Sequence, residues 1–433
     1  MDGWGGQPRS MSILDRQSRR RKAASALFGV SVLPLLVAVA IIFQSLSSSQ
    51  SRLAPYQEGI KDLRSMTDAD LGDDVLQPLR KYAYLIVTYH KAGHELSHQL
   101  VNYLIKNHAN TLSKGEGGSP IVQQNIHPRN DFDAITKCSK ISLQPGTVTI
   151  LEAPEFHCHE EQLANLLMHN PNPERGEKLG VRVVHLVRDP FAMAVSNYRY
   201  HRQDPTPEPF VHHKHPCASL REYHGSYPIM TVPVSDQVSS PVMTADDFEN
   251  IRNDCHSLYR TRPDLANATF YEHLRALDAP EGLRMATADK FNSLALMAND
   301  LLMFRRVRQL ELIKAENRHW QHNHEFRLLT MPLDKWIKHP AAQMERFLDF
   351  MFGEHLPGKR KDLLANRYRV QFMMKSSFMK SKIHSRRDEA EKMELMEYLR
   401  GDAVFGGPLA RMQALLEEVL KSEGVYPVGE LAS

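Results

Sequence analysis

The most extended apolar run in the chain is also the first. Residues 23–43 (AASALFGVSVLPLLVAVAIIF) are 21 positions without a charge. As a helix they would rise about 31 Å, enough to cross a bilayer core of about 30 Å, so the pattern predicts one transmembrane helix. A cleaved signal peptide carries a shorter apolar core, about 7–15 residues, ahead of a small-residue cleavage site. Here Gln44, Ser45 and Leu46 follow, which favours an uncleaved anchor. Arg16, Arg19, Arg20, Arg21 and Lys22 stand before the run, whereas residues 47–51 add no charge. That asymmetry predicts a cytosolic basic tail over 1–22 and a lumenal remainder. Residues 44–80, Ser-rich and then carrying Asp68, Asp70, Asp73 and Asp74, lack sustained periodicity and read as a stem. The folded domain is expected over 81–433.

Inside that domain the period changes. Three compact apolar runs, 82–88 (YAYLIVT), 147–151 (TVTIL) and 181–187 (VRVVHLV), are rich in β-branched and aromatic residues and predict buried strands. After the first, Leu96, Leu100, Tyr103 and Leu104 recur at helical spacing, the stripe of a helix lying on a sheet. Strand, helix, strand, helix predicts an α/β fold with a central, mainly parallel sheet. The pattern lapses over about 201–250, where Pro205, Pro207, Pro209, Pro216, Pro228, Pro233 and Pro241 predict a loop-rich insertion. Helices are expected again over 290–315, 341–352 and 409–420, with a strand over 325–329.

Composition narrows the function. Hydrophobic residues make up 42% and charged residues 24%, ordinary for a chain that buries a core. Basic and acidic residues number 54 and 51, so the net charge of +3 shows no excess for nucleic acid, and any anion site is local. Cys138, Cys158, Cys217 and Cys255 all follow the anchor and allow either two disulfides or four buried thiols. His212-His213-Lys214-His215 has no acidic or cysteine partner at a ligand spacing, so no metal site is predicted. Asn267-Ala268-Thr269 is a glycosylation sequon on the lumenal side.

Two strand ends carry candidate chemistry. Thr88-Tyr89-His90-Lys91-Ala92-Gly93-His94-Glu95-Leu96 lies where a strand turns into a helix. The unpaired N–H groups and dipole of a first helical turn attract an anion, Lys91 adds a mobile ammonium, and Gly93 lets the backbone approach. A solvated turn lysine is the plain alternative. The GxxxxGK[ST] loop is absent, which argues against an ATPase or kinase of that type. In the second stretch Arg188-Asp189-Pro190 follows a strand and Ser196 comes eight residues later. Arg188 at a strand's C-terminal end can grip a phosphate through paired N–H groups, with Ser196 returning beside it after two helical turns. A surface Arg188–Asp189 pair is the alternative.

In order, spacing and placement the two stretches resemble the sulfotransferase family that uses 3′-phosphoadenosine 5′-phosphosulfate. Arg188-Asp189-Pro190 with Ala194-Val195-Ser196-Asn197-Tyr198 looks like that family's 3′-phosphate site, in which the arginine and the serine bind the phosphate. Tyr89-His90-Lys91-Ala92-Gly93 looks like its 5′-phosphosulfate loop, commonly Tyr-Pro-Lys-Ser-Gly-Thr-Thr, with His94 and Glu95 in place of the two threonines. The resemblance covers about 81–353, including an Asp334 turn. It implies a three-layer αβα, P-loop-like sulfotransferase fold, a donor held by Lys91, Ala92, Gly93, His94, Glu95, Arg188 and Ser196, and no required metal. It further implies a Golgi membrane location and transfer to a hydroxyl on a glycan, a tyrosine or a smaller alcohol. Lys91 and Glu152, at a strand end where membrane-bound relatives often use glutamate, are the expected catalytic pair, with Glu155, His157 and His159 competing as base. A membrane-tethered nucleotide-binding or scaffold protein with a degenerate site, or a phosphoryl-transfer enzyme on a similar fold, are the alternatives.

Overall fold

The computed structural model describes residues 82–102, 123–126, 147–152, 180–203, 233–235, 238–265, 267–316, 326–352 and 386–423, and Leu143, Leu163 and Leu167. The predicted anchor, the stem, residues 212–215, Glu155, His157 and His159 lie outside them. Among the described residues no helix is long and apolar enough to cross a membrane.

The strands in chain order are β1 (Tyr82–Thr88), β2 (Gln123–Ile126), β3 (Val148–Glu152), β4 (Gly180–Val187), β5 (Pro233–Ser235), β6 (Val238–Pro241) and β7 (Phe326–Pro332). Five of them make one sheet in the order β2-β3-β1-β4-β7, parallel at every pairing, while β5 and β6 form an antiparallel ribbon of their own. The helices are α1 (described over 94–102), α2 (Pro190–Gln203), α3 (Ala245–Arg260), α4 (Phe270–Ala276), α5 (Ala279–Glu316), α6 (Leu333–Lys338), α7 (Pro340–Phe352), α8 (Arg386–Gly401) and α9 (Gly406–Ser422).

Every residue of β1 and β4 is buried, which is why both read as continuous apolar runs rather than as alternating ones. Successive side chains enter opposite cores. Ala83, Leu85, Val87, Val183 and Val187 pack with Phe191 and Val195 of α2 and with α5 and α9. Tyr84, Ile86, Ile150, Val184 and Leu186 pack with Leu96 and Leu100 of α1, Trp336 of α6 and Phe347 of α7. Each buried leucine or valine contributes about 1.5–3 kcal/mol, so helices are held on both faces of the sheet. The expected α/β fold with a central parallel sheet flanked by helices is present. Arg182, buried inside β4, donates to the carbonyls of Phe350 and Met351 and so caps the last turn of α7.

Several boundaries differ from the sequence pattern. The strand expected over 147–151 is shifted by one to Val148–Glu152, which leaves Glu152 paired in register with Thr88. β2 precedes it at the sheet edge, so Glu152 ends the third strand rather than the second. The insertion over about 201–250 is shorter than predicted at both ends. α2 runs on to Gln203, and α3 begins at Ala245 behind a capping box in which Thr244 and Asp247 satisfy each other's backbone N–H. Arg411 of α9 locks that box by donating to Asp247 Oδ2 at 2.6 Å and to the Val242 carbonyl at 3.1 Å. The helix expected over 290–315 starts at Ala279, where Asp278 accepts from the Glu281 N–H at 2.8 Å. Cys255 on α3 is buried and disulfide-bonded, with its partner outside the described residues; of the two expectations for the cysteines, disulfide bonding holds for this one.

Candidate functional site

The sheet is parallel, so the ends of β1, β3, β4 and β7 reach one edge together, where open α/β sheets bind ligands. The turn after β1 is built with unusual backbone. Lys91 has φ 64°, in the left-handed region, and Gly93 has φ 126°. A Cβ on Gly93 would lie 3.2 Å from Leu186 Cδ1 of the neighbouring strand, so glycine is needed there for both conformation and closeness. Gly93→Ala is therefore expected to destabilise the domain by about 1–3 kcal/mol, read as a lower urea midpoint. An unchanged midpoint would show that the turn is not held as described.

Arg188 leaves β4 beside that turn. Its Nη1 donates to the Lys91 carbonyl at 2.9 Å, which ties the two motifs together across 97 residues of sequence. Its Nε lies 3.5 Å from Asp334 Oδ1, an ion-pair distance, with Asp334 in the first turn of α6 after β7. Among the described residues no acceptor takes the Nη2 hydrogens, so the guanidinium is held through Nη1 and Nε and Nη2 stays open. Asp189 caps α2 by accepting from the Ala192 N–H at 2.8 Å, and its other oxygen accepts from Gln413 of α9 at 2.8 Å. Burial pushes the Asp189 carboxyl up. Asp189 thus serves the helix end rather than a surface pair with Arg188. Ser196 sits half-buried two turns into α2, with its hydroxyl unpartnered among the described residues. Asn197, next to it, is a structural residue that donates to the Ala286 carbonyl at 3.1 Å and joins α2 to α5.

The last turn of α2 covers the β1 turn. The Lys91 ammonium lies 3.1 Å from the ring centre of Tyr200, and His90 stacks on His201 with centroids 5.5 Å apart and planes 16° from parallel. Burial holds His90 well below the usual imidazole range, and the cations Lys290 and Lys91 push the same way. Lys91 and Lys290 bring positive charge to this corner although the whole chain is nearly neutral.

The remaining site residues fall into two groups. His94, in the first turn of α1, brings Nδ1 to 3.3 Å from Glu152 Oε1 at the end of β3. Glu95 is exposed and accepts from Gln99 one helical turn on, at 2.9 Å, so its carboxylate is engaged along the outside of α1. Ala92 is buried in the turn. Lys91, Ala92, Gly93, His94, Glu152 and Arg188 therefore gather at one sheet edge. Asp334, Tyr200, His201, Lys290 and Gln413 join them and carried no signal in the sequence beyond the polar turn at Asp334.

Beneath the turn, Tyr89 donates to Asp300 Oδ2 at 2.6 Å and lies 2.8 Å from His185 Nε2, all three buried. Burial pushes His185 down to about 3. The folded imidazole stays neutral where the unfolded one, near 6.5, takes up a proton. Its contribution is thus fully present above about pH 6.5 and is lost progressively as pH falls from there towards 3. Lowering pH from 7.5 to 5.5 is expected to remove about 1.4 kcal/mol for His185, with His90 and His273, also depressed by burial, adding in the same sense. Urea midpoints at the two pH values measure it; a rise on acidification would contradict it.

Comparison with protein-family models, curated proteins and solved structures finds no match.

Proposed function

We propose that the chain is a sulfotransferase that moves a sulfuryl group from 3′-phosphoadenosine 5′-phosphosulfate to a hydroxyl acceptor, a glycan, a tyrosine or a smaller alcohol. The observation that carries this reading is the Arg188–Lys91 contact. The two motifs that resemble the family's phosphate sites lie 97 residues apart and meet at adjacent parallel strand ends. Arg188 and Ser196 would hold the 3′-phosphate. The turn of Lys91, Ala92, Gly93, His94 and Glu95 would hold the 5′-phosphosulfate, with backbone N–H groups of α1 facing the charge. Lys91 would neutralise charge growing on the bridging oxygen, and Glu152 would serve the acceptor proton. The outward engagement of Glu95 with Gln99 favours donor binding, since its carboxylate is otherwise the substitution most hostile to an anion. A three-layer αβα, P-loop-like arrangement agrees with helices on both faces of the parallel sheet.

Transfer of radiolabelled sulfate from the donor to a mixed panel of glycan, tyrosyl and small alcohol acceptors tests the reading. Labelled acceptor without added metal or ATP is expected. Binding of adenosine 3′,5′-bisphosphate without transfer to any acceptor would instead favour a tethered nucleotide-binding protein, and dependence on ATP and magnesium a phosphoryl-transfer enzyme.

The same proposal places the domain in the Golgi lumen behind the 23–43 anchor as a single-pass type II protein. The Cys255 disulfide agrees with an oxidising compartment. Asn267 is exposed in the turn ahead of α4, within reach of a glycan. A glycosidase-sensitive mobility shift, abolished by Asn267→Gln, is expected from cells, together with protease protection of 81–433 in sealed microsomes. Digestion of that segment from outside would overturn the topology.

A further inference from the structure

Two pairs of adjacent residues meet where the last turn of α2 covers the β1 turn. His90 and Lys91 come from the turn, Tyr200 and His201 from the helix. The inner pair is fixed. His201 is buried, its Nδ1 lies 2.9 Å from the Asn197 carbonyl, and its ring stacks on His90 with planes 16° from parallel. The outer pair differs in kind. The Lys91 ammonium lies 3.1 Å from the centre of the Tyr200 ring, which is 40% exposed and rests edge-on against His201 at 5.0 Å. A tyrosine at the surface and a lysine on a flexible four-carbon stem can change their contact without disturbing the core.

The face of the Tyr200 ring attracts a cation electrostatically, and the last turn of α2 adds the partial negative charge of its terminal carbonyls. An opposing pull arises when an anion occupies the first turn of α1. It then draws the ammonium by full charge and hydrogen bonding, which is stronger than attraction to a ring face. The Lys91 backbone need not move for this. Its left-handed φ of 64° and the 2.9 Å bond from Arg188 Nη1 to its carbonyl fix the main chain and leave the side chain to swing. Ser196 lies one helical turn before Tyr200 on the same face of α2. Burial marks that face: Ser196 is half-buried and Tyr200 exposed, whereas Asn197 and Tyr198 between them are buried. The ammonium thus rests on the face of α2 that also carries the candidate phosphate serine.

We infer that Tyr200 is the resting dock of the Lys91 ammonium and that donor binding draws the ammonium off the ring, so that Tyr200 sets how tightly the turn holds its anion. The inference rests on the sulfotransferase reading above. Tyr200 is a positioning residue that acts through Lys91. Without donor the ring keeps the lysine in one place, and affinity is lowered by the strength of the contact, so an anion too weakly charged to displace the ammonium is turned away.

The test uses full-length protein in detergent with its lysines converted to isotope-labelled dimethyl-lysines, which keep their charge. Methyl groups over an aromatic ring resonate upfield of those on solvated lysines. The wild type is expected to show such an upfield signal, lost in Lys91→Arg and returned to the solvated position in Tyr200→Leu. Adenosine 3′,5′-bisphosphate should move it in that same direction. On unmodified protein, isothermal titration should show Tyr200→Leu binding the bisphosphate about 3- to 10-fold tighter than wild type, with Tyr200→Phe, which keeps the ring, closer to wild type. In a Lys91→Met background the Tyr200→Leu change should alter affinity by less than about twofold, because no ammonium is left to dock. A role in packing alone would give neither the signal nor the tighter binding. The inference is overturned if the wild-type signal lies at the solvated position, or if wild type binds the bisphosphate and Tyr200→Leu binds it no tighter. A folded wild type that does not bind the bisphosphate would remove the sulfotransferase reading and this inference with it.

Discussion

Arg188→Ala is expected to weaken binding of adenosine 3′,5′-bisphosphate by about 3 kcal/mol, roughly 150-fold. The side chain is nearly buried, anchored to the Lys91 carbonyl through Nη1 and to Asp334 through Nε, so a phosphate meets a guanidinium that is already placed. Little side-chain entropy is then lost on binding, and the paired N–H groups are worth more than an exposed ion pair. Arg188→Lys keeps the charge and loses the fork, so it should recover only part of the affinity. Asp334→Asn keeps the Lys91 contact and should weaken binding less than either. Isothermal titration of the bisphosphate against the three variants, with thermal melts to confirm folding, supplies the measurement. Equal affinity for wild type and Arg188→Ala would end the assignment of the phosphate site.

Asp300→Ala should have the largest effect on stability, about 3 kcal/mol, since it leaves the buried Tyr89 hydroxyl without its 2.6 Å acceptor and opens a polar void under the turn. For a domain of this size that is a fall of about 4 °C in Tm. Tyr89→Phe removes the same bond from the other side. The double variant should cost less than the sum of the two by at least about 1 kcal/mol, the mark of residues sharing one network. Additive losses would show that Asp300 and Tyr89 act separately. Bisphosphate affinity should fall alongside stability in both single variants, because Tyr89 is the first residue of the turn that carries Lys91.

The parts of this fold that the sequence makes legible are those where one side of an element decides its neighbours. β1 and β4 are buried on both faces and consist almost wholly of apolar residues, so their bounds are plain. β2, with sequence QQNI at the sheet edge, has no such run and was not expected. α3 begins inside the stretch that reads as a proline-rich insertion although Thr244 and Asp247 spell a capping box, because the neighbouring prolines outweigh a signal only two residues wide. α8 is so dense in charge that its apolar stripe, Leu395, Met396 and Leu399, barely stands out. At the site, Lys91, Arg188 and Ser196 were readable because they follow strands at fixed short offsets. Tyr89 and Asp300 are 211 residues apart, and Asp189 and Gln413 are 224 apart. No local period relates such residues; only packing of α5 and α9 against the sheet brings them together. The pairing of His94 with Glu152 was hidden for the same reason, although each had been singled out separately.

The bond from Gln413 to Asp189 bears on the protein's biosynthesis. Asp189 holds the first turn of α2 directly after Arg188, and its second oxygen is taken by α9, 224 residues further along the chain. During synthesis the strand-end corner therefore waits for those 224 residues to emerge before its last latch closes. A message truncated before α9 would yield a product carrying both motifs yet lacking a finished strand-end corner, and such a product should be cleared as misfolded rather than persist.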